Sequence, residues 1–146
     1  MSLQFETVGI VGTGAMGRGI AQIAAQAGST VHLFDAKEGA SAQAAQALHE
    51  QWDKLAAKGK LSAETVAAYK ARLVVSTLVT DLAPCALVVE AIVENLGIKR
   101  QLFAELEGIV AADAVLVSNT SSLPVTAIAA GLKRPQQMAG YHFFNP

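Results

Sequence analysis

One cysteine, 5% aromatic residues and 16% charged residues in a chain of 146 put several classes of protein out of reach. Cys85 has no second cysteine to pair with, so neither an internal disulfide nor a cysteine-cluster metal site can form; its plain reading is a small buried apolar side chain. A formal net charge of -1 leaves no excess of basic residues with which to grip nucleic acid or an anionic lipid surface. No uninterrupted apolar run approaches the ~20 residues of a transmembrane helix, because Glu90 and Glu94 break the longest candidate. The first residues lack the basic segment and apolar core of a secretory signal. The expectation is a soluble, cytoplasmic chain with neither a membrane nor a nucleic-acid partner. What is present is apolar: 52% of residues are hydrophobic, too many for a disordered chain. The length fits one domain with a sizeable core. No internal repeat or low-complexity linker marks a second.

The sharpest local feature is Gly12-Thr13-Gly14-Ala15-Met16-Gly17, a G-x-G-x-x-G run. Three glycines alone are weak evidence, since glycine-rich turns are common. Here an apolar strand pattern, Thr7–Val11, precedes them and a helix pattern, Ala15–Ala27, follows. Thr30-Val31-His32-Leu33-Phe34 then ends in an acid, Asp35. Strand, glycine turn, helix, strand and acid together form the dinucleotide-binding arrangement. Gly12 allows the tight turn, Gly14 lets backbone approach a pyrophosphate, and Gly17 lets helix and strand pack closely, with the phosphates over the helix N-terminus. A carboxylate at Asp35 accepts from the adenosine ribose 2′-hydroxyl and repels a 2′-phosphate, which favours NAD over NADP.

Further strand-like segments fall near 73–76, 87–91, 115–119 and 137–143. Helical patterns fill most of the gaps, at 37–57, 63–71, 96–112 and 124–130. Apolar strands alternating with helices predict a parallel sheet covered on both faces. The fold class is therefore α/β, a Rossmann-type doubly wound, mostly parallel sheet. Between its second and third strands runs a helical excursion, broken at Gly59 and restarted at Ser62, a plausible N-cap. Lys54, Lys58 and Lys60 cluster near the break. They either complement a helix C-terminus in solvent or form a phosphate-binding lip, and spacing alone favours the former.

Among the histidines, His32 lies inside a strand and His49 on the long helix, where structural or solvent-facing roles are usual. His142 closes the strand Met138–Tyr141. Ligands of open α/β sheets bind beyond the carboxyl ends of strands, so a histidine there can take a proton from a substrate hydroxyl near neutral pH. From the residues alone it is equally a structural histidine. The cluster Ser118-Asn119-Thr120-Ser121-Ser122 also follows a strand and offers hydroxyl and amide donors to the cleft, while Ser122 alternatively caps the next helix. Glu90 and Glu94 have no His/Asp partners at ligand spacing, so no metal site is expected. Asn95 is a reasonable N-cap for the helix that follows. Lys99, one turn into that helix, either reaches the cofactor or points into water.

Taken together, Val8–Gly17, Val89-Glu90-Ala91-Ile92-Val93-Glu94-Asn95, Ser118–Leu123 and His142-Phe143-Phe144-Asn145-Pro146 resemble the 3-hydroxyacyl-CoA dehydrogenase family, over essentially the whole chain. The last three segments are far more specific than the glycine motif. The resemblance implies oxidation of the 3-hydroxyl of a (3S)-3-hydroxyacyl-CoA to a 3-oxoacyl-CoA, with hydride passed to NAD, as in β-oxidation. It makes His142 the catalytic general base and Ser121 a residue contacting substrate and nicotinamide. It places Gly12, Gly14, Gly17, Asp35, Glu94, Lys99, Ser121 and Asn145 at the cofactor. It likens the helical excursion to an arm lying along coenzyme A, with Lys58 on that substrate. The family continues with a glutamate that orients the histidine and with a helical C-terminal domain that closes over the acyl group and makes a homodimer. Neither lies within residues 1–146, so the expectation is a piece of a longer protein, monomeric by itself, that binds NAD but is nearly inactive. The competing readings are another 3-hydroxy-acid dehydrogenase, which would lack the serine and histidine segments, and a non-catalytic NAD-binding module of the same fold.

Overall fold

Six short strands, β1 (Thr7–Val11), β2 (Thr30–Phe34), β3 (Leu73–Val75), β4 (Leu87–Glu90), β5 (Val115–Ser118) and β6 (Met138–Gly140), form one sheet in the computed structural model. The structure describes residues 5–120 and 123–140. Every strand pairing is parallel, in the order β3-β2-β1-β4-β5-β6. The chain winds outward from β1 in one direction through β2 and β3, then returns to β4 and winds outward in the other. The reversal leaves a crevice at the carboxyl ends of β1 and β4, where such sheets bind ligands.

The helices follow from sequence periodicity and from their ends. They are α1 (Ala15–Gln26), α2 (Ala40–Ala57), α3 (Ala63–Arg72), α4 (Leu96–Glu107) and α5 (Val125–Ala129). Ser62 caps α3 by accepting from the Thr65 amide at 3.1 Å, and Asn95 caps α4 by accepting from the Ile98 amide at 3.0 Å, as their sequence positions predict. Two helix boundaries differ clearly from expectation. The second helix starts at Ala40 instead of Lys37, because Gly39 adopts a left-handed φ of 82° and Lys37 is held by Asp35 in a turn. The helix expected to run to Ala112 ends at Glu107, with Gly108 as its C-cap and the Glu107 carboxylate receiving the amides of Lys133 and Arg134. Short 3-10 turns over Val79–Leu82 and Pro135–Gln137 had no sequence signature of their own.

Alternation along the strands divides the core between the two faces of the sheet. Val8, Ile10, Val31, Leu33 and Val89 pack with Ile20, Ala21, Leu48, Trp52 and Val66 from α1, α2 and α3. Val11, Val88, Leu116 and Met138 pack with Phe103, Leu106, Ile128 and Ala129 from α4 and α5. The excursion is thereby part of the domain core. Trp52 is fully buried, donates to the Gln26 side chain at 3.2 Å and lies against the Tyr69 ring, while Lys70 pairs with Asp53. Among the described residues no helix is long and apolar enough to cross a membrane.

Candidate functional site

The glycine turn joins β1 to α1, and each of its three glycines has a different environment. Gly12 has a φ of +97°, and a Cβ there would lie 2.6 Å from the Ala91 carbonyl oxygen. At Gly17 a Cβ would lie 1.7 Å from the Gly12 carbonyl oxygen, so helix and turn touch backbone to backbone. Around Gly14, in contrast, a Cβ would meet nothing within 4 Å. Gly14 is also the N-cap of α1 and contributes no side-chain cap. The positive end of a twelve-residue helix therefore opens onto free space at the crevice, which suits the backbone cradle of a pyrophosphate.

Asp35 follows the carboxyl end of β2 and faces the same turn. Its Oδ2 accepts from the Thr13 amide at 2.8 Å and the Thr13 hydroxyl at 2.9 Å, and its Oδ1 accepts from the Lys37 amide at 2.9 Å. Burial opposes its ionisation, but these hydrogen bonds, with the nearby Lys37 charge, outweigh it and hold the carboxyl below its ordinary range. A carboxylate offers about four acceptor positions, so Oδ1 keeps capacity for a further hydroxyl. A groove of about 360 Å³ opens beside it, walled by Phe34, Lys37, Gly39, Val75 and Ser76. The Thr13 contact went unread in the sequence. Its signal was a hydroxyl residue inside the glycine motif, 22 positions before an acid that ends the next strand.

The second half of the site lies at the ends of β4 and β5. Glu90 ends β4 opposite Ser118 of β5 and is fully buried. It accepts from the Ser118 hydroxyl at 2.6 Å, the Ile92 amide at 2.7 Å and the Lys99 ammonium at 2.6 Å. Lys99 also pairs with Glu94 at 3.1 Å. The Thr120 hydroxyl donates to Glu94 at 2.8 Å while accepting from the Leu123 amide at 3.0 Å. Two readings change here. Lys99 does not point into water, since its side chain has no exposed surface. The hydroxyls of Ser118 and Thr120 are not free donors at the cleft, because carboxylates already take them.

Ser121, His142 and Asn145 lie outside the described residues. Lys58, with Lys54 and Lys60, is exposed at the turn between α2 and α3, with Lys58 as the C-cap of α2. His32 meets the Ser76 hydroxyl at 3.5 Å. His49 stacks on Trp52; burial, then Lys70, push its pKa down while Asp53 partly opposes them. Neither stands in the crevice network just described. Among the described residues no group of His, Cys, Asp and Glu is arranged to hold a metal.

A family model described as "3-hydroxyacyl-CoA dehydrogenase, NAD binding domain" matches residues 7–146. The chain belongs to that family. A 3-hydroxyadipyl-CoA dehydrogenase of Escherichia coli K12 is 41% identical over 146 residues, covering 100% of this chain and 31% of that protein. A 3-hydroxybutyryl-CoA dehydrogenase of Mycobacterium tuberculosis is 39% identical over 147 residues, covering 100% of this chain and 51% of that protein. The crystal structure of a 3-hydroxybutyryl-CoA dehydrogenase from Escherichia coli K12 superposes with a TM-score of 0.93 at 42% identity, over 99% of this chain and 30% of that one. The chain thus spans about a third to a half of these 3-hydroxyacyl-CoA dehydrogenases. Its cofactor is NAD, in keeping with the family's NAD-binding domain and with the open helix terminus at Gly14.

Proposed function

We propose that this chain is the NAD-binding part of an oxidoreductase that converts (3S)-3-hydroxyacyl-CoA to 3-oxoacyl-CoA. The observation that carries the reading is the pairing of the open α1 terminus at Gly14 with the Asp35 carboxylate, across the crevice from the Glu90–Lys99–Glu94 network. Gly12, Gly14 and Gly17 shape the turn under the pyrophosphate, and Asp35 accepts from the adenosine ribose. The groove walled by Phe34 and Val75 suits a flat adenine. Glu94, Lys99, Ser121 and Asn145 make up the nicotinamide side. When bound, NAD supplies the hydride acceptor. His142 removes the proton from the substrate 3-hydroxyl as general base, and Ser121 orients that hydroxyl. Lys58 meets the anionic nucleotide portion of coenzyme A.

The C-terminal helical domain, the homodimer it makes and the glutamate that orients His142 belong to the longer parent. Losing the carboxylate partner of a catalytic histidine can cost ~10⁴ in kcat, and without a second domain the acyl group lacks walls to hold it in attack geometry. The 146 residues made alone therefore bind NADH as a monomer and turn over essentially no substrate. Calorimetry with NADH on this chain, beside an acetoacetyl-CoA reduction assay on chain and parent, tests the proposal. Binding by both with turnover by the parent alone is expected. A parent that binds NADH yet never reduces acetoacetyl-CoA would replace the enzyme with a non-catalytic NAD-binding module. Turnover by the isolated chain near the parent's rate would remove the roles given to the glutamate and the second domain.

A further inference from the structure

The glycine turn carries one hydroxyl, and that hydroxyl is already engaged. Thr13 is buried between Gly12 and Gly14, and its Oγ1 donates to Asp35 Oδ2 at 2.9 Å. A hydroxyl has one proton to give, so while this bond lasts the Thr13 side chain cannot also donate to a pyrophosphate. The bond falls on an oxygen that already receives the Thr13 amide at 2.8 Å. On the other oxygen of the same carboxylate, Oδ1, the Lys37 amide donates at 2.9 Å. The terminal torsion of an aspartate is broad and roughly twofold, so rotamer preference alone does not set the plane of its carboxylate. One amide on each oxygen still lets that plane rock. A second donor converging on Oδ2, from a β-branched side chain that is stiff about its first torsion, removes much of this freedom. The acceptor capacity that remains is then on Oδ1, and Asp35 itself lines the groove of about 360 Å³.

We propose that Thr13 is a positioning residue for the cofactor site: its hydroxyl fixes the Asp35 carboxylate in the plane from which Oδ1 takes the adenosine ribose 2′-hydroxyl. This rests on the reading of Asp35 as the ribose acceptor, and it gives the aim of that acceptor to a side chain that does not itself touch the cofactor. Valine at this position has nearly the same shape but no donor, and it leaves the amide in place. The carboxylate is then free to turn, and the ribose contact weakens while the glycine turn keeps its form. Serine restores the donor.

Thr13→Val, Thr13→Ser and Thr13→Ala forms of the 146-residue chain, beside wild type, are compared by thermal melting and by calorimetry. The ligands are NADH and its analogue lacking the adenosine 2′-hydroxyl. Wild type is expected to bind NADH the more tightly of the two. Thr13→Val should bind NADH about fivefold more weakly than wild type does, the scale of one hydrogen bond. Its affinity for the deoxy analogue should stay within about twofold of the wild-type value, because the loss is coupled to the hydroxyl that Asp35 receives. Thr13→Ser should return NADH affinity to within about twofold of wild type. Thr13→Ala takes the place of the valine variant if that chain does not fold. A folded Thr13→Val or Thr13→Ala chain with wild-type NADH affinity would overturn the proposal. So would equal losses for the two ligands, which would make the hydroxyl a support of the turn under the pyrophosphate. A folded serine variant as weak as the valine one would overturn it too. A wild-type chain that binds NADH and the deoxy analogue equally would instead remove Asp35 from the ribose, and one that binds neither would overturn the NAD-site reading.

Discussion

Alanine at Gly14 and alanine at Gly17 should separate the cofactor's glycine from the fold's glycine. At Gly17 the added carbon would sit 1.7 Å from the Gly12 carbonyl oxygen and 2.9 Å from its carbon. Relieving the first contact requires α1 and the turn to part by roughly 1.3 Å, in a core packed without slack. Forced repacking of this kind costs about 1–3 kcal/mol or more. For a domain near this size each kcal/mol moves Tm by about 2–4 °C, so Gly17→Ala should melt roughly 5–10 °C lower. Gly14 has a φ of -68°, which alanine adopts freely, and no atom within 4 Å of its would-be Cβ. Gly14→Ala should therefore melt within about 2 °C of wild type, since N-cap and chain-entropy effects are small and opposed. On the proposed function its methyl group instead meets the pyrophosphate, and NADH affinity should fall tenfold or more (about 1.4 kcal/mol). Differential scanning fluorimetry and calorimetry read the two quantities independently. An unchanged Tm for Gly17→Ala, or unchanged NADH affinity for Gly14→Ala, would refute the division of labour.

Four further outcomes are expected. NADH should bind at least tenfold more tightly than NADPH (about 1.4 kcal/mol), because a 2′-phosphate would meet the Asp35 carboxylate; equal affinities in a fluorescence titration would remove Asp35 from the ribose. In the longer parent, Lys58→Ala should raise KM for acyl-CoA at low salt with kcat little changed, as for uniform binding; an unchanged KM across ionic strengths would leave Lys58 a solvated residue. Burial opposes ionisation of Glu107, yet the Lys133 and Arg134 amides outweigh it and hold its carboxyl below the ordinary range. Its stabilisation is therefore complete above the unfolded value of about 4.3 and is lost as pH falls through the lower folded value, so Glu107→Gln should melt lower at pH 7 and show a shallower decline below pH ~5. Burial pushes the Cys85 thiol up to about 12, so it should resist a thiol reagent at pH ~8 until the chain unfolds; immediate labelling of the native chain would contradict its packing.

The strands and the order of helices were legible because their signals are local: apolar runs of strand length, ended by Gly12, Asp35 or Glu90, and caps such as Ser62 and Asn95. The all-parallel sheet follows from that alternation. Boundaries were less legible where a distant group decides them. The end of α4 depends on Glu107 receiving amides 26 and 27 residues later. Gly39 starts α2 late through its backbone conformation, which a helix-like composition conceals. At the site, Glu90, Glu94 and Lys99 were visible as charged residues but not as a circuit. Glu90 is paired with Ser118 by strand register and with Lys99 by the docking of α4, and neither relation has a sequence period.

The bonds from Thr13 to Asp35 also bear on how this protein could change its coenzyme. A simple route to accepting a 2′-phosphate is to replace the acid at position 35 with a small polar or basic residue. Here the same carboxylate holds both the amide and the hydroxyl of Thr13 inside the glycine turn and the Lys37 amide at the start of the next loop. Removing it would leave those groups seeking other acceptors within the glycine turn itself. If Asp35 holds the ribose as proposed, cofactor choice and turn geometry are coupled through one carboxylate, and altering one calls for a compensating change near position 13 to keep the other.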